Sequence, residues 1–153
     1  MHNYKLIIEF FEQYINHYIE LLDFENKKLG YIISNNVGEL SNCLGREQAL
    51  IMMGNNLEAK RLELLRKESL GDATFGEMIQ SAPDEYRNKL QSVFSELSKY
   101  VLEVKRINDE AMNVVRVKLN SIENKLSHNS GEIYNGKGGR NHTAMSVSMT
   151  KNV

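Results

Sequence analysis

Few residues of this chain have side chains that could carry out chemistry, and their spacing does not match a catalytic or metal site. The four histidines are His2, His17, His128 and His142, and none belongs to a His-Glu-x-x-His or Glu-x-x-His pair. A zinc protease or a di-iron helical bundle requires such pairs. We therefore expect no metal and no cofactor, and we do not expect an enzyme.

The single cysteine and one glycine-rich stretch also do not match a catalytic nucleophile or a phosphate-binding loop. Cys43 lies beside Leu44 in a predicted helix. A small buried apolar side chain is the expected role there, because a nucleophile would need a nearby base. The stretch Gly136-Lys137-Gly138-Gly139-Arg140 lacks the Gly-x4-Gly-Lys-Ser/Thr spacing of a phosphate-binding loop, and no strand is predicted before it.

Composition limits the class of protein and its setting. The chain has 153 residues, of which 41% are hydrophobic and 25% charged, as expected for one domain. No apolar run approaches the roughly 20 residues of a membrane span. The first residues lack the basic start and cleavage site of a secretory signal, and one cysteine cannot make a disulfide framework. These observations predict a cytoplasmic protein without membrane insertion.

The net charge argues against nucleic acid as a partner. It is −1 for the whole chain. From His128 onward, Lys137, Arg140 and Lys151 outweigh Glu132, which leaves this end at +2 and the rest at −3. Neither part has the strongly basic balance that is typical of nucleic-acid binding.

The elements that must position any site begin with one long helix at the end of the apolar pattern. Asp84, an N-cap residue type, follows the only proline, Pro83, and can start this helix. Apolar residues then recur every three or four positions up to Leu126, which predicts an amphipathic helix of about 43 residues and about 65 Å. The recurring residues are Tyr86, Leu90, Val93, Leu97, Tyr100, Val104, Ile107, Ala111, Val115, Leu119, Ile122 and Leu126.

Two other long helices are predicted before it. The first extends from about Asn3 to Ile33, and the second from about Val37 to Ser69. Gly45 and Gly54 make the second helix the weakest, since each internal glycine costs about 1 kcal/mol relative to alanine. Whether this helix continues past Gly54 is left open.

A short helix and a polar tail complete the prediction. Thr74 and Glu77 have the spacing of a capping box, which predicts a helix over Phe75–Ser81. No segment alternates with the period of a strand. We therefore expect an all-α fold: an elongated antiparallel helical hairpin plus a long C-terminal helix with coiled-coil-like packing. The helical domain would cover 1–127, and a flexible Gly/Ser/Thr/Asn-rich tail would cover 128–153.

Several short motifs accompany this order of helices. They are Leu21-Leu22 with Glu25 and Leu29, Leu57-Glu58-Ala59-Lys60-Arg61 through Leu65, Thr74-Phe75-Gly76-Glu77-Met78-Ile79, Ile107-Asn108 with Leu119, and Tyr134-Asn135-Gly136-Lys137-Gly138. With these motifs, the chain resembles the FlgN family of flagellar export chaperones over nearly its whole length. One departure is Ala111, where the family tends to repeat the asparagine that Asn108 matches.

The resemblance implies a cytoplasmic, non-enzymatic chaperone. It would bind hook-associated proteins of the hook–filament junction, prevent their premature assembly and deliver them to the export gate. A tail tyrosine of the family is thought to help dock the loaded chaperone to the cytoplasmic domain of the gate, and Tyr134 is the matching position. Tyr134 could instead be an ordinary exposed aromatic residue.

The predicted helix lengths point to a binding surface independently of the resemblance. A last helix of about 43 residues exceeds a first helix of about 31 by roughly 12 residues, or 18 Å. This excess carries Val115, Leu119, Ile122 and Leu126, which could bind an amphipathic helix of a partner. Burial in a homodimer or against the second helix is the alternative. A helical adaptor or a self-associating coiled-coil protein would share the same pattern.

Overall fold

The computed structural model describes residues 2–133, with side chains described for 2–128. This part of the chain is helical and contains no strand, so the all-α prediction is confirmed. None of the described helices combines the length and the apolarity that a membrane span requires. The helices are α1 (Tyr4–Ile33), α2 (Val37–Lys67), α3 (Phe75–Ser81) and α4 (Asp84–Ile133).

Side-chain caps explain why the first three helices begin where they do. The side-chain oxygens of Asn3 and Asn36 accept hydrogen bonds from backbone N–H groups in the first turns of α1 and α2, at 3.1 and 3.2 Å. Thr74 and Glu77 form the predicted capping box of α3. Each cap satisfies a donor that a helix start leaves without an intrahelical partner.

The first two long helices form the predicted antiparallel hairpin. Tyr14 of α1 bonds to Glu58 of α2 at 3.1 Å, and Lys28 bonds to Glu47 at 2.8 Å. As the residue number rises in α1, the number of its partner in α2 falls, so the helices run in opposite directions. The turn at 34–36 contains Asn35 in the left-handed region, with φ of 56°. Asparagine tolerates this conformation better than most residues.

Helix α4 runs parallel to α1. Tyr4 stacks on Tyr86, and Phe11 meets Phe94 edge to face with ring centroids 5.1 Å apart. Farther along, Leu29 packs in one cluster with Ile107 and Ala111. Helix α1 is therefore central: α2 and α4 both pack on it, while their backbones do not meet each other anywhere in the described chain.

The main hydrophobic core lies at the end where α1 and α4 begin. Phe75 of α3 stacks on Phe94 of α4 with ring centroids 4.2 Å apart, and Phe11 contacts both rings. Met78 and Leu65 are fully buried beside them. The short α3 therefore covers the aromatic end of the α1–α4 pair.

Helix α2 continues past Gly54, where it packs closely against α1. A Cβ atom at this position would be 3.1 Å from Nε2 of the buried His17. Glycine is therefore compatible with close packing of the two helices, and it does not interrupt α2. The sequence left the continuity of α2 open, and the structure shows one helix from Val37 to Lys67.

Helix α4 is longer than predicted, with 50 residues instead of about 43. It continues beyond Leu126 because a helix needs backbone hydrogen bonds, not an apolar repeat, and no proline follows to interrupt it. The first residues of the predicted tail, from His128 to Ile133, thus belong to α4. The rest of that tail lies outside the described residues.

Candidate functional site

The hairpin turn fixes the point at which α4 loses its partner helix. The ammonium group of Lys118 donates hydrogen bonds to Oδ1 of Asn35 at 2.7 Å and to the carbonyl oxygen of Ile33 at 3.3 Å. Because α1 ends and α2 begins at this turn, no described helix lies beside α4 beyond it. Residues 119–133, which we call the overhang, extend about 22 Å past the turn.

The four residues predicted to form a binding surface share one side of α4 but differ in exposure. Val115 and Leu119 are half-buried near the hairpin turn, whereas Ile122 is 53% and Leu126 is 39% exposed. Val115 precedes Lys118 and is therefore outside the overhang, in contrast to its predicted place. Among the described side chains of the overhang, Ile122 and Leu126 form its exposed apolar surface.

A second surface, which the sequence did not predict, lies between α2 and α4. Because α2 and α4 do not meet, α1 is uncovered between them and forms the floor of a cavity of about 450 Å³. We call this cavity the aromatic notch. Its lining includes Tyr14 and Tyr18 of α1, Arg61 of α2, Phe75 of α3, and Leu97 and Val101 of α4.

The polar groups of the notch bind one another. Arg61 donates two hydrogen bonds to the carboxylate of Glu58, at 2.6 and 2.9 Å, and the Tyr14 hydroxyl donates to the same carboxylate at 3.1 Å. Burial, reinforced by the neighbouring Tyr18 and the bond to Glu58, raises the pKa of Tyr14, so its hydroxyl stays protonated. The bonds from Arg61 lower the pKa of Glu58. The surface left for a ligand is therefore mainly apolar.

The sequence carried only a weak signal of the notch. Tyr14 and Tyr18 are one turn apart in α1, and their rings stack with centroids 5.5 Å apart. Their position beside Arg61 and Val101 depends on tertiary packing, which helical periodicity does not encode.

The comparison with protein families identifies the chain. The family model described as FlgN protein matches residues 1–142, which include all four helices and Tyr134. The chain belongs to the FlgN family. No curated protein and no solved structure matches it. Membership in FlgN, a chaperone family, supports a role of the flagellar export chaperone kind, with binding of flagellar proteins.

Two buried polar residues of this FlgN family member lie outside both surfaces. His17 faces Gly54, and its Nδ1 has no hydrogen-bond partner in the described part of the chain. Burial lowers its pKa. Burial also raises the pKa of Glu25, and this effect exceeds the opposite effect of Lys28, whose Nζ is 3.9 Å away.

The remaining candidate residues show no arrangement for catalysis. Among the described side chains, residues 2–128, no three of His, Cys, Asp or Glu come together as a metal site would require. Cys43 is half-buried, whereas the sequence predicted a buried side chain. Tyr134 of this FlgN family member lies just after the described residues, so its proposed docking role stays a prediction.

Proposed function

We propose that this chain is a cytoplasmic chaperone of flagellar type III export that binds hook-associated proteins of the hook–filament junction. It would prevent their premature assembly and deliver them to the export gate. We propose no catalytic activity and no bound cofactor. Family membership supports the general role, and the overhang is the observation that favours capture of a helical partner.

The overhang has a shape suited to binding a helix. It is a helix without a partner in the described chain, and Ile122 and Leu126 expose apolar surface on one side. Full burial of such a side chain contributes about 1.5–3 kcal/mol. An amphipathic helix of the junction protein, placed along the overhang, would bury both residues. Its own apolar side would then be unavailable for polymerisation.

Delivery requires a second contact, which we assign to Tyr134. This residue follows the overhang directly in sequence, and the family match includes it. An aromatic ring can bury a large apolar face in a pocket of the gate's cytoplasmic domain while few torsions become fixed. Capture and docking would thus use neighbouring but separate residues.

Self-association is the alternative that the same surface favours. A second copy of the chain could cover Ile122 and Leu126, and the protein would then be a homodimeric adaptor. Light scattering distinguishes the two functions. A chaperone gives a mass that is independent of concentration when alone and a larger mass with a purified hook-associated protein. An adaptor gives a dimer that Ile122→Asp dissociates, and no complex with that protein.

A further inference from the structure

The groove between α2 and α4 has apolar residues on both sides as well as on its floor. On α4, Val101 lines the aromatic notch and is 38% exposed. Met112 follows it by eleven residues, and Leu119 and Leu126 follow at intervals of seven. Eleven and seven residues are close to whole numbers of turns, so the four side chains form one row along α4. This row leads from the notch toward the overhang, with Lys105 and Asn108 between Val101 and Met112.

Helix α2 carries a matching row on the opposite side of the groove. Leu44, Ile51 and Leu62 are exposed and have the same intervals of seven and eleven residues. Leu62 is one turn beyond Glu58 and about 40° around α2 from it, and Glu58 binds Tyr14 on the groove floor. The row on α2 thus lies on the side of that helix that borders the groove.

We propose that this groove and the overhang together hold one amphipathic helix, of about 25 residues, from the exported partner. The inference rests on the proposed function and extends its binding surface from the overhang back to Val101. The distance from Val101 to Leu126 is 25 residues along α4, or about 37 Å. The bound helix would occupy the fourth position of a four-helix bundle whose other members are α1, α2 and α4.

The notch specifies the chemistry of the side chains that enter it. Its volume of about 450 Å³ lies in the range of ligand pockets. Because Arg61 and Tyr14 already bind Glu58, an acidic side chain would gain little there and would lose its hydration. The partner helix therefore places an apolar side chain in the notch, with further apolar residues at intervals of three and four toward the overhang.

A photo-crosslinking experiment on the full chain tests the inference. A photoreactive phenylalanine derivative replaces Val101 in the groove, Ile122 in the overhang, or Ile19, which serves as the matched control. Ile19 is 42% exposed and is about 140° around α1 from Tyr14, on the side away from the groove. Each variant is irradiated with a purified hook-associated protein, and the crosslinked residues are identified by mass spectrometry.

We expect crosslinks from positions 101 and 122 to one helix of the partner, at sites about 21 residues apart, and none from position 19. Crosslinks from 122 alone would overturn the groove inference and leave the proposed function standing. Crosslinks from neither would contradict both. The inference would also be overturned if position 19 crosslinked as strongly as position 101. The same holds if position 101 crosslinked to a different segment of the partner than position 122.

Affinity provides a second measurement. Val101→Asp should raise the Kd for the hook-associated protein about tenfold, which corresponds to about 1.4 kcal/mol of binding free energy. Ile19→Asp should leave this Kd within about twofold. Thermal unfolding of both variants confirms that they are folded at the temperature of the titration. An unchanged Kd for folded Val101→Asp would exclude the groove from the binding surface.

Discussion

The ammonium group of Lys118 lies 2.7 Å from Oδ1 of Asn35, and this hydrogen bond joins α4 to the turn of the hairpin. The carbonyl oxygen of Ile33, the last residue of α1, accepts a second hydrogen bond from the same ammonium group. The two bonds mark the register of α4 along α1, which the buried contacts of Phe11 with Phe94 and of Leu29 with Ile107 maintain. The residues of α4 beyond Lys118 therefore extend past the turn.

The turn itself can be tested with two substitutions of Asn35. Asn35→Gly removes the bond to Lys118 but tolerates the φ of 56°, whereas Asn35→Ala removes the bond and also strains the backbone. We expect Asn35→Ala to have a free energy of unfolding about 1 kcal/mol below that of Asn35→Gly in chemical denaturation. Equal values would show that residue 35 does not need the left-handed conformation.

The two internal glycines of α2 should respond in opposite ways to alanine. At Gly45 nothing lies within 4 Å of the added Cβ, so Gly45→Ala should raise the free energy of unfolding by about 1 kcal/mol. At Gly54 the Cβ would be 3.1 Å from Nε2 of His17. We expect Gly54→Ala to be less stable than Gly45→Ala by about 1–3 kcal/mol. The difference should disappear in a His17→Ala background, and its persistence there would refute this contact as the cause.

Glu25 should make stability depend on pH. Burial raises its pKa above the ordinary 4.5 in the folded state, so the folded chain holds the proton more tightly than the unfolded chain. The resulting stabilisation is present below pH 4.5 and is lost as the pH rises through the folded-state pKa. Glu25→Gln should therefore raise the free energy of unfolding at pH 7, by an amount that shrinks toward pH 4.5.

Asp23→Asn is the control for Glu25, because Asp23 lies on the same helix with its side chain largely exposed. This variant should change stability little at either pH. If Glu25→Gln instead destabilises the protein at pH 7, the ion pair with Lys28 outweighs the cost of burying the carboxylate.

The exposed residues of the overhang should control partner binding without affecting folding. Ile122→Asp combined with Leu126→Asp should weaken binding of a purified hook-associated protein about 100-fold, because each charged group prevents burial of an apolar surface. Helical circular dichroism should be retained. Val117→Asp is the matched control, since Val117 is 67% exposed on the opposite side of the same helix. Equal loss of binding in both variants would argue against a one-sided site.

Tyr134 should act after the partner is captured. Tyr134→Ala should leave the affinity for the junction protein unchanged, since the binding surface we propose ends near Leu126. The loaded variant should bind the export gate's cytoplasmic domain about tenfold more weakly, because a buried aromatic ring often contributes more than 1 kcal/mol to an interface. Titration of wild-type and variant complexes against the purified domain measures this, and equal affinities would exclude a docking role.

Local chemistry made the first three helices predictable. Asn3, Asn36 and Thr74 cap helices within one turn of their own positions, so their effect is visible in a short stretch of sequence. The end of α4 was placed seven residues too early, because the apolar repeat stops at Leu126 while the backbone hydrogen bonds continue. An apolar repeat reports what a helix buries, and it does not mark where the helix ends.

The site was less predictable, because it depends on register and on which helices meet. Val115 was assigned to the unpaired part of α4 from helix lengths alone, whereas Lys118 and Asn35 show that pairing continues past it. The aromatic notch combines Tyr18, Arg61 and Val101, each about 40 residues after the one before it in the sequence. Only the packing of α2 and α4 on α1, without contact between them, brings these residues together.

The length of α4 also separates the residues of the aromatic core from those of the overhang. Phe94, in the aromatic core, and Ile122, in the overhang, are 28 residues apart on one helix, or about 42 Å. Substitutions that far apart with no shared neighbours have additive effects on free energy. The sequence of the overhang near Ile122 could therefore change during evolution while the stability that the core around Phe94 provides stays the same.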